Sequence, residues 1–446
     1  MSQIPTKGNN SNNLEDSHYE RLPEPSTTSY LENDLLTPMW KTMSVHPKYS
    51  KCFLKIHHYL ISRGAGPLSA SDRHYIAIMA VSRHYCVELI GYHQREFKAA
   101  GGDEKWLSQG LSAVSEKMMK LNNVNIILAH RPWRLSQHHI KELTSGNKGD
   151  NWSISEVVEA VTLLCHFHAL SSFLMGCVTM EEAIREETQD EETLRHSEGT
   201  STKPIVPGLV ERMKDLNDKR EELELSEIIR RYKAIEIQEK EEEVRDSDFY
   251  AVLAEQKYSN TIAALKKEIL LDVDATKYTT HHDYRFMDFV QRSDEEEHPI
   301  FLLREFCWPE HGYCTMSRLL NEELANLLDK KFNLMKNLTY RYIGKFQCVD
   351  THLFREAAWN YIQCLVGIRK DDYDYGRIKQ LLNKNLRSYI KALSCYPEHC
   401  IKEEYRSLMS EFRSSEKVHL CLIVSESRFQ NELLYGLNAV SEYFKC

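Results

Sequence analysis

Glycine and proline are scarce in this chain, 17 and 12 of 446 residues. That scarcity excludes turn-rich sandwiches and barrels. With abundant Leu, Glu, Lys and Ala it points to an all-α protein. A basic surplus is also missing: 57 Lys and Arg stand against 66 Asp and Glu, a net charge of −9. No cluster of Lys and Arg interleaved with aromatics reverses that balance, so neither nucleic acid nor an anionic membrane is an expected partner. There is no P-loop, Rossmann glycine fingerprint, Gly-x-Ser-x-Gly elbow or His-Glu-x-x-His motif. Cys165 and His168 share a helix face, but two ligands do not make a zinc site, and no Cys-x-x-Cys is present to complete one. Neither a metal nor a cofactor is expected. The twelve cysteines are scattered over a chain without a signal-peptide pattern, which suits reduced thiols in cytosol or nucleus.

The chain is long enough for two compact cores plus linkers. Residues 1–38 are rich in Ser, Asn, Pro, Thr and Glu and read as a disordered tail. Residues 39–180 and 299–446 are dense and helical, and residues 181–298 form a charged helical linker between them. Within that linker, Glu181–Glu192 and Ser197–Pro207 read as a poorly ordered acidic connector, and Val210–Val244 as a mostly solvated helix. The longest apolar run, Val157–Val178, contains Glu159, His166, His168, Ser171 and Ser172. A lipid-exposed span tolerates these poorly, so the run is expected to be a buried helix and no transmembrane segment is expected. Ser153 and Glu156 form a capping box at its start.

The first chemical candidate is Cys86 with His93. The stretch from Arg73 has no Gly or Pro before Gly91 and reads as one helix, on which residues seven apart share a face. An imidazole beside a thiol is one way to make a reactive thiolate. Spacing alone leaves a reactive thiol and an inert, packed cysteine equally open. The second candidate is the turn Asp371-Asp372-Tyr373-Asp374-Tyr375-Gly376, whose polarity places it on the surface. It serves either as a protein-contact site or as an ordinary capping loop. Cys395 and Cys400, flanking Pro397, are expected to be thiols.

Several ordered motifs carry a resemblance. His74-Tyr75-Ile76-Ala77-Ile78-Met79-Ala80, Arg83-His84-x-Cys86, Gly101-Gly102-Asp103-x-x-Trp106-Leu107 and Leu128-Ala129-His130-Arg131-Pro132-Trp133 resemble the N-terminal domain of sestrins. Trp308-x-x-His311-Gly312-Tyr313, Asn337-Leu338-Thr339-Tyr340, Gly367 to Gly376, Ser415-Glu416-Lys417-Val418-His419 and Leu433-Leu434-Tyr435 resemble the C-terminal domain. The resemblance implies two AhpD-like (carboxymuconolactone decarboxylase-like) helical domains joined by a helical linker. It implies a stress-inducible regulator of cytoplasm and nucleus that senses leucine. Such a regulator restrains target-of-rapamycin signalling by binding the GATOR complex, and it has a role in oxidative-stress defence. Two alternatives stand beside this: an alkyl hydroperoxide reductase acting through Cys86, and a scaffold that has lost both activities.

Residue by residue, the resemblance assigns Cys86 and His93 to the family's redox pair. Leu89 stands where AhpD-like enzymes carry a resolving cysteine, and Glu88 where a tyrosine is usual. Arg355 matches the carboxylate-binding arginine of the leucine pocket and Glu416 the amine-binding glutamate. Thr339 and Thr351 match two of three lid threonines, and Tyr342 takes the third place. Met409 replaces a pocket-floor tryptophan and Phe354 a leucine. Asp371, Asp372 and Tyr373 match the surface implicated in contact with GATOR.

Overall fold

The computed structural model describes residues 37–63, 66–146, 149–190, 205–218, 223–240, 273–292 (except 283 and 285), 298–339, 341–400 and 408–445. All but the last two residues of the tail expected over 1–38 lie outside them. Helices dominate, and among the described residues no strand exceeds two residues. The fold is all-α.

Local sequence sets the helix starts. Helix α1 (Pro47–His58) carries Pro in its first turn, where no amide partner is needed. Helix α2 (Ala70–Ser82) is capped by Ser69, which accepts the Asp72 amide. Helices α3 (Val87–Ala99) and α4 (Glu116–His130) follow. The expected capping box opens α5 (Ile154–Asp190): the Ser153 amide donates to Glu156 Oε2 at 2.7 Å, and the Glu156 amide to Ser153 Oγ at 3.3 Å. Residues Ile154–Cys177 of α5 are long and apolar enough to cross a membrane, and their most apolar window is wholly buried inside the protein.

The long α5 pairs lengthwise with α11 (Ser414–Lys445), the most extensive helix contact among the described residues. At Gly436 a Cβ would sit 2.4 Å from Val161 Cγ1, so only glycine lets the two backbones come this close. Polar groups bridge the seam. Ser425 Oγ donates to the Ala169 carbonyl at 2.7 Å, and Arg428 reaches both Glu432 Oε1 (2.7 Å) and Ser172 Oγ (3.0 Å). One continuous core therefore runs through both dense helical regions.

The linker departs from expectation in two ways. Its acidic stretch to Asp190 continues α5 instead of forming a loose connector, because Glu, Ala, Met and Arg extend an existing helix cheaply. The expected solvated helix is two helices, each with a buried face. In α6 (Ile205–Asp218) that face is Val206, Leu209, Val210 and Met213. In α7 (residues 225–240) it is Ile228, Tyr232, Ile235 and Glu239. These positions recur at helical spacing, so most charged residues fill the outer faces, and buried Glu239 is paired with Arg387 and Lys391.

The C-terminal region contributes α8 (Glu322–Met335), α9 (His352–Leu365) and α10 (Lys384–Cys395). Strands β1 (Phe301–Leu302) and β4 (Ile368–Arg369) pair in parallel. Between them lies an antiparallel hairpin, β2 (Tyr342–Ile343) with β3 (Phe346–Gln347), which turns at Gly344 with φ +55°.

Candidate functional site

Cys86 and His93 do not lie on one helix. Helix α2 ends at Ser82, and Tyr85 takes a left-handed conformation, φ 51°. The amides of Cys86 and Tyr85 close on the carbonyls of Val81 (3.2 Å) and Ser82 (3.3 Å), the pattern of a Schellman cap. Arg83 holds the turn, donating to His130 Nε2 (3.0 Å), the Thr280 carbonyl (2.8 Å) and the Tyr284 carbonyl (2.7 Å). Cys86 thus precedes α3, with His93 two turns along that helix. Both are fully buried.

The electrostatics there oppose thiolate formation. Burial pushes the Cys86 thiol well above its usual range, and Glu88, whose Oε2 lies 3.9 Å from Sγ, pushes the same way. Burial, reinforced by the neighbouring His74, drops the His93 imidazole well below its usual value, so it is a poor base. Its Nδ1 pairs with His74 Nδ1 at 3.0 Å, and its ring meets the Phe167 ring edge-on at 4.6 Å.

In the C-terminal half, Arg355 and Glu416 line one small cavity together with Thr339, Tyr342, Thr351 and Phe354. The cavity offers about 20 Å³ to the centre of a water-sized sphere, which is room for roughly one water. Arg355 is held by the Thr351 carbonyl (3.2 Å) and Oγ1 (3.1 Å). Burial lowers its proton affinity, but guanidinium stays charged in proteins. Among the described residues its Nη1 is buried and has no hydrogen-bond partner. Glu416 accepts the amides of Gly344 and Arg413, which fastens the β2–β3 hairpin to the start of α11. Thr351 Oγ1 donates to the Thr339 carbonyl at 2.9 Å. The Tyr342 hydroxyl lies 3.5 Å from Ser415 Oγ, and its ring lies under the Arg413 guanidinium at 4.9 Å.

The acidic turn is only partly on the surface. Asp372 is exposed, while Asp371 is clamped by Arg369 Nε at 2.8 Å and Arg304 Nη1 at 3.1 Å. Tyr373, expected at the surface, is buried edge-to-face against Tyr375 with centroids 5.1 Å apart. Its ring gains more from that aromatic packing than from exposure.

A family profile described as "PA26 p53-induced protein (sestrin)" matches residues 6–444. Sestrin-3 of Mus musculus is 36% identical over 447 residues, covering 95% of this chain and 87% of its own. Sestrin-2 of Homo sapiens is 36% identical over 428 residues (90% and 82%), and Sestrin-1 of Xenopus laevis 35% over 414 (90% and 83%). This chain belongs to the sestrin family.

Within this sestrin, five cavity residues escaped the sequence reading: Ile343, Phe412, His419, Leu420 and Ile423. His419 lines the cavity and has Thr339 Oγ1 at 2.6 Å from its Nδ1, while its Nε2 lies 2.8 Å from the Met335 carbonyl. The carbonyl can only accept, so Nε2 carries the proton and the Thr339 hydroxyl donates to Nδ1. His419 stands one turn after Glu416, a spacing that would have shown it. Phe412, its ring tilted 32° to that of Phe354 with centroids 6.0 Å apart, lines the cavity instead of Met409, which is buried but does not line it. It had no comparable signal, because a loop connects it to the helix.

Proposed function

We propose that this sestrin is a leucine-responsive regulator of cytoplasm and nucleus that restrains target-of-rapamycin signalling by binding the GATOR complex. The observation that carries the reading is the shared cavity of Arg355 and Glu416. A free amino acid presents a carboxylate and an ammonium a few ångströms apart, and a buried cation and a carboxylate facing one space match that pattern. The spare donor of Arg355 suits an incoming carboxylate. At its present size the cavity excludes leucine, so binding opens the hairpin or separates Phe354 from Phe412. Phe354, Phe412 and Tyr342 leave a pocket better suited to an apolar side chain than a polar one. Exposed Asp372, beside the clamped Asp371, supplies charge for partner contact.

Thermal unfolding with each free amino acid tests the claim. Leucine at a hundredfold excess over its Kd stabilises by about 2.7 kcal/mol, and Arg355→Ala abolishes the shift. No shift at millimolar leucine overturns the ligand assignment, and capture of the GATOR complex that ignores leucine overturns the regulatory one. Hydroperoxide reduction lacks equivalent support, since the thiol it requires is buried and held protonated.

A further inference from the structure

The segment Trp308–Gly312 is a single π-helical turn, closed by the Gly312 amide on the Cys307 carbonyl at 3.0 Å. Such widened turns are rare and recur at functional sites. This one gathers Cys307 Sγ, a carboxylate oxygen of Glu310 and a ring nitrogen of His311, all within 4.8 Å of one another. None of these residues belongs to the amino-acid cavity or to the Cys86 region.

The spacing suits metal coordination. Cys307 Sγ lies 3.7 Å from His311 Nδ1. A tetrahedral zinc with Zn–S of about 2.3 Å and Zn–N of about 2.0–2.1 Å sets sulfur and nitrogen about 3.6 Å apart. The Cys307 amide donates to His311 Nδ1 at 3.3 Å, so the neutral ring carries its proton on Nε2, and a metal at Nδ1 takes over the lone pair that the amide now occupies. The imidazole stacks on Phe306, centroids 5.3 Å apart at 30°, which fixes its plane. Below the turn, buried Trp308 packs on Phe332 at 5.2 Å and its indole N–H donates to Asp329 at 3.3 Å. Two ligands thus sit on a turn anchored in the core, as a preorganised site requires. Glu310 is exposed, so its carboxylate swings into the third position without disturbing packing.

We propose that Cys307, Glu310 and His311 bind a zinc-class divalent cation through three protein ligands, with water at the remaining position. A mixed thiolate, imidazole and carboxylate set favours Zn²⁺ over Mg²⁺ or Ca²⁺, which take oxygen donors. Binding removes the thiol proton from Cys307, so affinity rises with pH.

Titration of the full chain with Co²⁺, under a non-chelating phosphine reductant, is the test. One equivalent produces a near-ultraviolet thiolate-to-cobalt band that Zn²⁺ displaces. Cys307→Ser removes the band, whereas Cys314→Ser and Cys348→Ser, at the two cysteines exposed among the described residues, leave it. Glu310→Gln and His311→Ala weaken binding by about tenfold or more, the scale on which even outer-shell partners act. The site is refuted by the lack of a saturable band at stoichiometric cobalt, by a band that survives Cys307→Ser, or by full affinity in Glu310→Gln. That last substitution is exposed and leaves the fold intact, so its result stands even if Cys307→Ser fails to fold.

Discussion

Both carboxylate oxygens of Glu416 receive the backbone amide of Gly344, at 3.0 and 2.9 Å. The same carboxylate takes the Arg413 amide at 2.9 Å, and Arg413 Nε returns a bond to the Gly344 carbonyl at 2.7 Å. One buried anion therefore holds the hairpin shut over the cavity. A ligand ammonium has to share that anion with two amides. Glu416→Gln keeps one oxygen that both amides can share, but it removes the charge and sets a side-chain NH2 against the Gly344 amide. The expected cost is about 1–3 kcal/mol, read from the urea midpoint, together with loss of any leucine-induced stabilisation. An unchanged midpoint contradicts the latch.

Gly344 is the matching test from the hairpin side. Its φ is +55°, and a Cβ there would lie 2.8 Å from the Glu411 carbonyl oxygen. Gly344→Ala is expected to destabilise by about 1–2 kcal/mol and to speed proteolytic cleavage within residues 342–347. Cleavage at the wild-type rate would show that the hairpin does not depend on this contact.

Acid should loosen the protein before its carboxylates titrate. Burial holds His57 at about 3, His74 at about 4 and His419 at about 3, against 6.5 when unfolded. Folded-state values are depressed, so the unfolded chain binds more protons below pH 6.5, and stability present above that pH is lost as pH falls. Each such histidine costs about 1.4 kcal/mol per pH unit in that window. Denaturation midpoints at pH 7, 6 and 5 should drop progressively. A flat profile would sink the assignment of these rings as neutral.

Thiol reactivity should sort by burial. Cys314 and Cys348 are exposed, whereas Cys86 is fully buried with its thiol well above the usual range. In native protein a disulfide reagent modifies the two exposed cysteines quickly, and Cys86 only at the rate of local or global opening. Rapid native labelling of Cys86, mapped by mass spectrometry, would restore it as a redox candidate.

A buried ion pair in the C-terminal region is joined to the N-terminal one by a tyrosine. Lys331 of α8 sits 3.0 Å from Glu426 of α11, both nearly inaccessible, and Glu426 also accepts the hydroxyl of Tyr49 on α1. Lys331→Met strands the carboxylate and is expected to cost about 3–5 kcal/mol, and adding Glu426→Leu recovers much of it. A double-mutant cycle in urea measures the coupling. Additive losses would mean that the pair is not coupled.

Local patterns predicted local features well. The capping box placed the start of α5, and the apolar run after it became the buried centre of the fold. Where the sequence reading failed, the decisive contacts were distant. The helix through Arg73 was expected to continue because no glycine interrupts it. Tyr85 instead adopts the conformation glycine usually takes, and Arg83, anchored on residues 279–284, holds it there. Tyr373 looked exposed in an acidic turn, but its ring is covered by Tyr375 and so is buried. The charged linker appeared solvated because its apolar residues are sparse, and only their alignment on one face of each helix buries them.

Residue order alone fixes the helical class, the family and the presence of an arginine and a glutamate at Arg355 and Glu416. Composition, capping and ordered motifs are properties of neighbouring residues, and they survive without a fold. Tertiary structure alone decided that Arg355 and Glu416, sixty-one positions apart, share a cavity while Cys86 is sealed from solvent. The reason is physical: burial sets both the thiol's proton affinity and the reach of a buried charge, and burial depends on which distant helices pack together.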